Sequence, residues 1–273
     1  MIDGQPVGNR SVKPVPDMPP LRSLSSPEVV RVLDQIRFKL QKIDTSGEFA
    51  EFCWFAREYP RCYRYHFDCA DYRLTTIASL YKELYDELLP QIVGNPSAFS
   101  VSVQNQKVMR IYWDFESFLS EINMALDLLA RIAGTAYKDQ MPPNFNKFCR
   151  KNGGNGLHSM MKRAQTRWVN RLKDYRDCFV HYTPVDTLLG ISLEQYGDGF
   201  EIRGKLPLNP NVREILGFRY SRRVELFRYA CTVHRNMTAL DHAVAKEIKR
   251  SFKSGEYPVR KKGLFFVGQR ERA

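Results

Sequence analysis

The chain has 273 residues, 43% of them apolar, and a formal net charge of +12. That is enough to bury a substantial core, as one large domain or two small ones. No run of eighteen apolar residues exists, which excludes an ordinary membrane-spanning helix. The segment Met1–Pro20 has no apolar core, so no secretory leader is expected. The six cysteines are scattered without a framework, which fits free thiols in a reducing cytoplasm.

Residues 1–25 read as a disordered lead, with Pro6, Pro14, Pro16, Pro19 and Pro20 blocking regular structure. Ser26-Pro27-Glu28 predicts a helix start with Ser26 as cap, and Val29, Val30, Leu33, Ile36, Leu40 and Ile43 continue it as a buried stripe. Residues from about Gly47 to Ile92 read as mostly helical, broken near Pro60 and closed by Gly94-Asn95-Pro96. The strongest helix follows. Ile111, Phe115, Phe118, Ile122, Ala125, Leu129 and Ile132 recur at near-heptad spacing, widened by Leu119 and Leu126, which is bundle core rather than a cofactor box. Glu116, Glu121 and Asp127 lie off that stripe and are expected to be solvated. Met141-Pro142-Pro143 ends the unit, and Lys151–Gly156 is a loop without the Walker ending that would cradle phosphate.

A further helix is set by Met161, Ala164, Trp168, Leu172, Tyr175 and Phe179. Asn170, Asp174, Asp177 and His181 fall on its opposite side. After it the period shortens. Leu189–Tyr196 and Phe200–Leu206 flank Asp198-Gly199, a favoured hairpin turn. Helix returns around Val224–Phe252, with Val224, Phe227, Ala230, His234, Met237 and Ala245 suggesting its core face. The fold class is therefore mainly α, with a small β-hairpin at about 189–206 inserted in a helical domain spanning 26–255, and a basic tail at 256–273.

Charge is spread unevenly. Residues 146–181 hold nine Lys/Arg against two acids, and residues 200–273 hold seventeen against seven, whereas 26–145 hold thirteen against sixteen. A polyanion partner, most simply nucleic acid, explains this asymmetry; solubility explains it equally well.

Within the basic stretch, Tyr175-Arg176-Asp177-Cys178-Phe179-Val180-His181-Tyr182 sets an arginine and a histidine with four residues between them. Arg carries a planar, permanent charge suited to phosphate oxygens. His gives or takes a proton near neutral pH. Spacing alone does not distinguish this pair. Arg61 and His66, Arg228 and His234, and Arg235 and His242 are similarly spaced. What sets His181 apart is its place on the polar helix face. In an unbroken helix, however, Arg176 and His181 diverge by about 140°. They share a site only if the Arg arm reaches around, the helix ends or distorts, or two chains each lend a residue. The alternative is a histidine favourably placed at a helix C-terminus. Cys62, His66 and Cys69 share a helix face but lack the paired knuckle of a zinc site, so no metal and no cofactor are expected. Cys178 and His181 form a conceivable nucleophile pair; a buried structural thiol is the plainer reading.

The long apolar helix from Trp113 to Ala133, followed by a helix carrying Tyr-Arg-Asp-x-x-Val-His-Tyr, resembles the HEPN superfamily. In that family an Arg, a polar residue and a His four to six positions after the Arg form the motif, matched here by Arg176, Asp177 and His181. The resemblance implies a metal-independent endoribonuclease, with RNA as partner and two chains pairing as a homodimer around a shared cleft. His181 would move the proton, Arg176 would stabilise transition-state charge, and Asp177 would orient one of them. The basic C-terminal region would then hold RNA backbone. It also leaves open a toxin-like or defence role with an antitoxin or other protein partner. The alternative within the resemblance is a non-catalytic RNA-, nucleotide- or protein-binding module.

Overall fold

The computed structural model describes residues 26–93, 99–135, 144–150, 156–182, 190–196, 199–212 and 217–254. The predicted lead at 1–25, the Gly94-Asn95-Pro96 and Met141-Pro142-Pro143 stops, the Lys151–Asn155 part of the loop and the tail at 256–273 lie outside the described residues.

The described chain is mainly helical, with one small antiparallel sheet. Its helices are α1 (Glu28–Ile43), α2 (Ala50–Val93), α3 (Gln106–Thr135), α4 (Phe145–Arg150), α5 (Gly156–Ala164), α6 (Asn170–Asp177) and α7 (Leu226–Lys253). Two π turns, Gln165–Val169 and Cys178–Tyr182, follow α5 and α6 directly. The chain falls into two compact units. One comprises the described parts of Cys69–Ser120 and Arg171–Arg235, the other those of Leu24–Asp68, Glu121–Asn170 and Asn236–Ala273.

In the second unit, α1 departs from its expected cap. Pro27 occupies the cap position and no side chain of the segment closes the helix end. The orphan N–H groups of Glu28 and Val29 instead donate to Asp241, at 2.7 and 3.4 Å, and the Tyr63 hydroxyl donates to the same carboxylate at 3.1 Å. Asp241 is 1% exposed, and burial raises its pKa above the ordinary 3.8. At the other end of α1, the Asp44 carboxylate accepts from the N–H groups of Ser46, Glu48 and Phe49, and Gly47 supplies the turn's φ of +74°.

The expected break near Pro60 does not occur: α2 runs through both Pro60 and Pro90. A proline inside a helix costs about 3 kcal/mol. Here Phe52, Phe55 and Ala56 before Pro60 and Tyr63, Phe67 and Ala70 after it are all buried in one continuing stripe, and their packing offsets that cost. In α3, every stripe residue from Ile111 to Ile132 is fully buried. The acids beside it are not simply solvated. Glu121 meets His66 at 2.6 Å, and Asp127 accepts the Phe145 N–H at 2.8 Å, closing the start of α4. Glu116 is half-buried, which pushes its carboxyl pKa up.

The hairpin forms as β2 (Ile191–Tyr196) paired with β3 (Gly199–Pro207), Tyr196 opposite Gly199. It is not alone. β1 (Ser100–Val103) pairs with β2, and β4 (Tyr220–Glu225) with β3, giving a four-stranded antiparallel sheet in the order β1-β2-β3-β4. Val224, read from sequence as helix, is therefore strand, and α7 starts at Leu226. Glu225 makes that junction. Its carboxylate, 4% exposed, accepts from the N–H groups of Phe227 and Arg228 in the first turn of α7, at 3.1 and 2.8 Å. It also accepts from Gly204 N–H at 3.0 Å and from the Tyr81 hydroxyl at 2.6 Å. A Cβ on Gly204 would stand 2.3 Å from the Tyr81 hydroxyl oxygen, so only glycine fits there.

Candidate functional site

All three residues singled out from sequence lie in the first unit, at the end of α6 and in the π turn after it. Tyr175 anchors that segment. Its ring packs on Tyr229 at 4.7 Å, and its hydroxyl donates to the Pro207 carbonyl at 2.7 Å. One turn earlier, Arg171 donates to the Leu208 carbonyl at 2.7 Å. One turn later, Phe179 stacks on Tyr112 at 6.0 Å and meets Phe115 edge-on at 5.4 Å. Tyr112 in turn donates to the Lys205 carbonyl at 2.9 Å. The helix end is thus fixed on one side by α3 and tied to the far end of β3, so the sheet lies beside the candidate site.

On this frame Arg176 and Asp177 form an ion pair, with Arg176 Nε at 3.0 Å and Nη2 at 2.5 Å from Asp177 Oδ1. Neither is deeply buried, at 31% and 44% side-chain exposure. This ion pair fits the orienting of Arg176 by Asp177. His181 is exposed, whereas Cys178 is fully buried. Thiol and imidazole therefore do not present a common face, and Cys178 packs as core. Burial raises the Tyr220 hydroxyl pKa, with Cys178 adding to it, which sets the start of β4 near this turn. Asp174, half-buried one turn before Cys178, has its carboxyl pushed up by burial, with the Asp177 charge adding and Arg171 opposing.

The π turn changes the phase. A π turn bonds i to i+5 rather than i+4, so one extra residue is taken up in the turn. Each residue along it lags its α-helical direction, by about 100° in total once the turn is complete. His181 is the fourth of the five residues. The divergence of about 140° between Arg176 and His181 shrinks to roughly 60°, within reach of a flexible arginine arm. A distortion at His181, one of the three routes by which the pair shares a face, is thus present within a single chain.

The chain matches no family model, no curated protein and no solved structure.

The other arginine–histidine spacings lead elsewhere. His66 is engaged with Glu121, and His234 with Asp71. Cys62 is exposed and Cys69 half-buried around the His66–Glu121 pair; among the described residues no three His, Cys, Asp or Glu side chains gather as metal ligands. No helix of the described residues is long and apolar enough to cross a membrane.

Sequence reasoning missed the π turns and the anchors on β3. The earlier π turn shows what signal existed. Trp168 was expected in the core, one α-turn after Ala164. The five-residue step buries Val169 instead and leaves Trp168 half-buried. The adjacent apolar pairs Trp168/Val169 and Cys178/Phe179 are where the stripe can change register.

Proposed function

We propose that the chain is a metal-independent endoribonuclease of the HEPN type, acting through Arg176, Asp177 and His181. The observation that supports this most is the π turn at Cys178–Tyr182, whose change of phase favours an exposed His181 on the side of the Arg176–Asp177 pair.

In this reading RNA supplies its own nucleophile. The ribose 2′-oxygen loses its proton and attacks the adjacent phosphorus, and the 5′-oxygen leaves with a proton, giving a 2′,3′-cyclic phosphate and a 5′-hydroxyl. His181 serves one of the two proton transfers, which is worth about 10²–10⁴ in rate. Arg176 faces the negative charge that builds on the phosphoryl oxygens, a contribution of about 10²–10³. Asp177 holds the guanidinium in place until phosphate competes for it. A second chain, paired about a twofold axis, would supply the other proton-transfer group.

The test is cleavage of a mixed-sequence RNA in EDTA by wild type, Arg176→Ala and His181→Ala. Wild type is expected to cut and both variants to lose the activity. Cutting that survives both substitutions would end the proposal. A second reading rests on the ion pair itself: with Asp177 neutralising Arg176, the segment would act as a non-catalytic RNA-, nucleotide- or protein-binding module. RNA retained but uncut by wild type would favour it.

A further inference from the structure

The second unit carries a patch of cations without counter-charges. From Asn144 to Asn170 the sequence holds six Lys/Arg and no Asp or Glu. Lys147 and Arg150 of α4, Lys162 and Arg163 of α5, and Arg167 of the π turn after α5 are all exposed. Ser159, Thr166 and Asn170 fill the gaps on the outer face of α5 and that turn, so it presents only cations and neutral polar groups. α4 lies against this segment. Gln165 donates to Asn146 at 3.0 Å, and the Phe148 and His158 rings are 5.6 Å apart.

Many of the arginines elsewhere are paired. Arg31, Arg37, Arg57, Arg64, Arg73, Arg176, Arg203, Arg228 and Arg250 each pair with a carboxylate. Lys147, Arg150, Lys162, Arg163 and Arg167 make no ion pair among the described residues. Two acids that touch its elements are already engaged: Glu247 lies against Gly156 but is held by Arg250 at 2.8 Å, and Asp127 caps α4. Clustered like charges repel and destabilise unless a polyanion covers them.

We infer that this face, centred on Lys162, Arg163 and Arg167, is a binding surface for the sugar–phosphate backbone of single-stranded RNA. Its cations sit on two adjoining helical segments rather than at one point, which suits a run of successive phosphates more than a single anion. Among the described residues no acid pairs with these cations, so each phosphate contact releases counterions and binding falls steeply with salt. The choice of RNA as occupant rests on the endoribonuclease reading; the patch itself does not. It lies apart in sequence from the basic C-terminal region, where Arg250 is already paired.

The test is fluorescence anisotropy of a labelled single-stranded RNA of mixed sequence, titrated over a range of salt. The proteins are full-length wild type, the triple variant Lys162→Gln/Arg163→Gln/Arg167→Gln, and a control of equal charge loss at exposed positions of α1 and α2, Lys39→Gln/Lys42→Gln/Arg61→Gln. The triple variant is expected to bind about tenfold or more weaker, and to flatten the slope of log K against log salt by about 2, since each single-strand phosphate contact contributes about 0.7. The control should stay within about twofold of wild type. Thermal melting of all three should coincide, because the side chains exchanged are exposed.

Equal affinities and slopes for triple variant and wild type would overturn the inference, as would equal losses in triple variant and control. So would absence of RNA binding with retention on phosphatidylserine vesicles, which would assign the patch to a lipid surface. Weakened RNA binding in the triple variant, with no cutting by wild type, would uphold the patch and reject the endoribonuclease. Cutting by wild type with unchanged binding by the triple variant would do the reverse.

Discussion

The two π turns have the same length and opposite consequences. At Gln165–Val169 the extra residue serves packing: Val169 is buried, Trp168 is half-buried, and Leu172 and Tyr175 remain in the core beyond it. At Cys178–Tyr182 the core side is already complete with Cys178 and Phe179, and the extra residue acts on the outer side, where Val180 and His181 are exposed. One turn keeps an apolar stripe in register; the other changes which polar groups share a direction. A π turn is strained relative to α-helix and tends to mark function. Here that inference applies to the second turn, since burial accounts for the first.

Single-residue insertions separate the two most forcefully. An alanine inserted after Val169 should rotate Leu172 and Tyr175 off the core by about 100°. A loss of several kcal/mol, on the order of two large core truncations, is expected in chemical denaturation. An alanine inserted after Val180 leaves Phe179 on Tyr112 and should change the melting temperature little. In the proposed reading it lowers RNA cleavage by about 10²-fold or more, because His181 turns about 100° further from Arg176. Equal stability losses from the two insertions would erase the distinction.

The frame beneath the second turn offers the next test. Gly204→Ala forces a methyl group against the Tyr81 hydroxyl and Leu226, where the Glu225 carboxylate gathers its donors. Overpacking of this kind costs about 1–3 kcal/mol, visible as a lowered denaturation midpoint. A neutral result would mean that the junction between β3 and α7 yields easily.

The smallest effect is the most diagnostic for the other unit. Asp241→Asn keeps the shape of the buried acceptor but faces the Glu28 N–H with an amide donor or loses the Tyr63 bond. About 1–2 kcal/mol should be lost at neutral pH. Because burial raises the folded pKa above 3.8, folding favours the protonated carboxyl. The stability this contributes is fully present below 3.8 and is lost as pH rises through the folded value. The deficit of the variant should therefore widen as the pH is lowered from neutral. A constant deficit would mean that Asp241 does not change its proton binding on folding.

The helical stripes were legible in the sequence because apolar spacing reports directly on burial: every α3 position read as core is core. The hairpin was legible through the Asp198-Gly199 signal between two short-period runs. Its flanking strands were not: the Ser-Val alternation of β1 lasts only four residues and the Arg-rich β4 alternates little, so both gain strand form by pairing with β2 and β3. Pro60 misled because local backbone cost was weighed without the aromatic packing on both sides of it. For the candidate site, the residues were visible but their geometry was not. The periodicity that found Phe179 assumes a constant angle per residue, and the π turn breaks that assumption where Arg176 and His181 depend on it.

The most direct measurement compares cleavage of an RNA oligonucleotide with that of the same oligonucleotide carrying 2′-deoxyribose at the mapped cut site, in EDTA, by wild type and His181→Ala. The proposed mechanism requires cutting of the RNA by wild type alone, with 2′,3′-cyclic phosphate ends, and none of the deoxy-substituted strand. Cutting at the deoxy position, or undiminished cutting by His181→Ala, would contradict it.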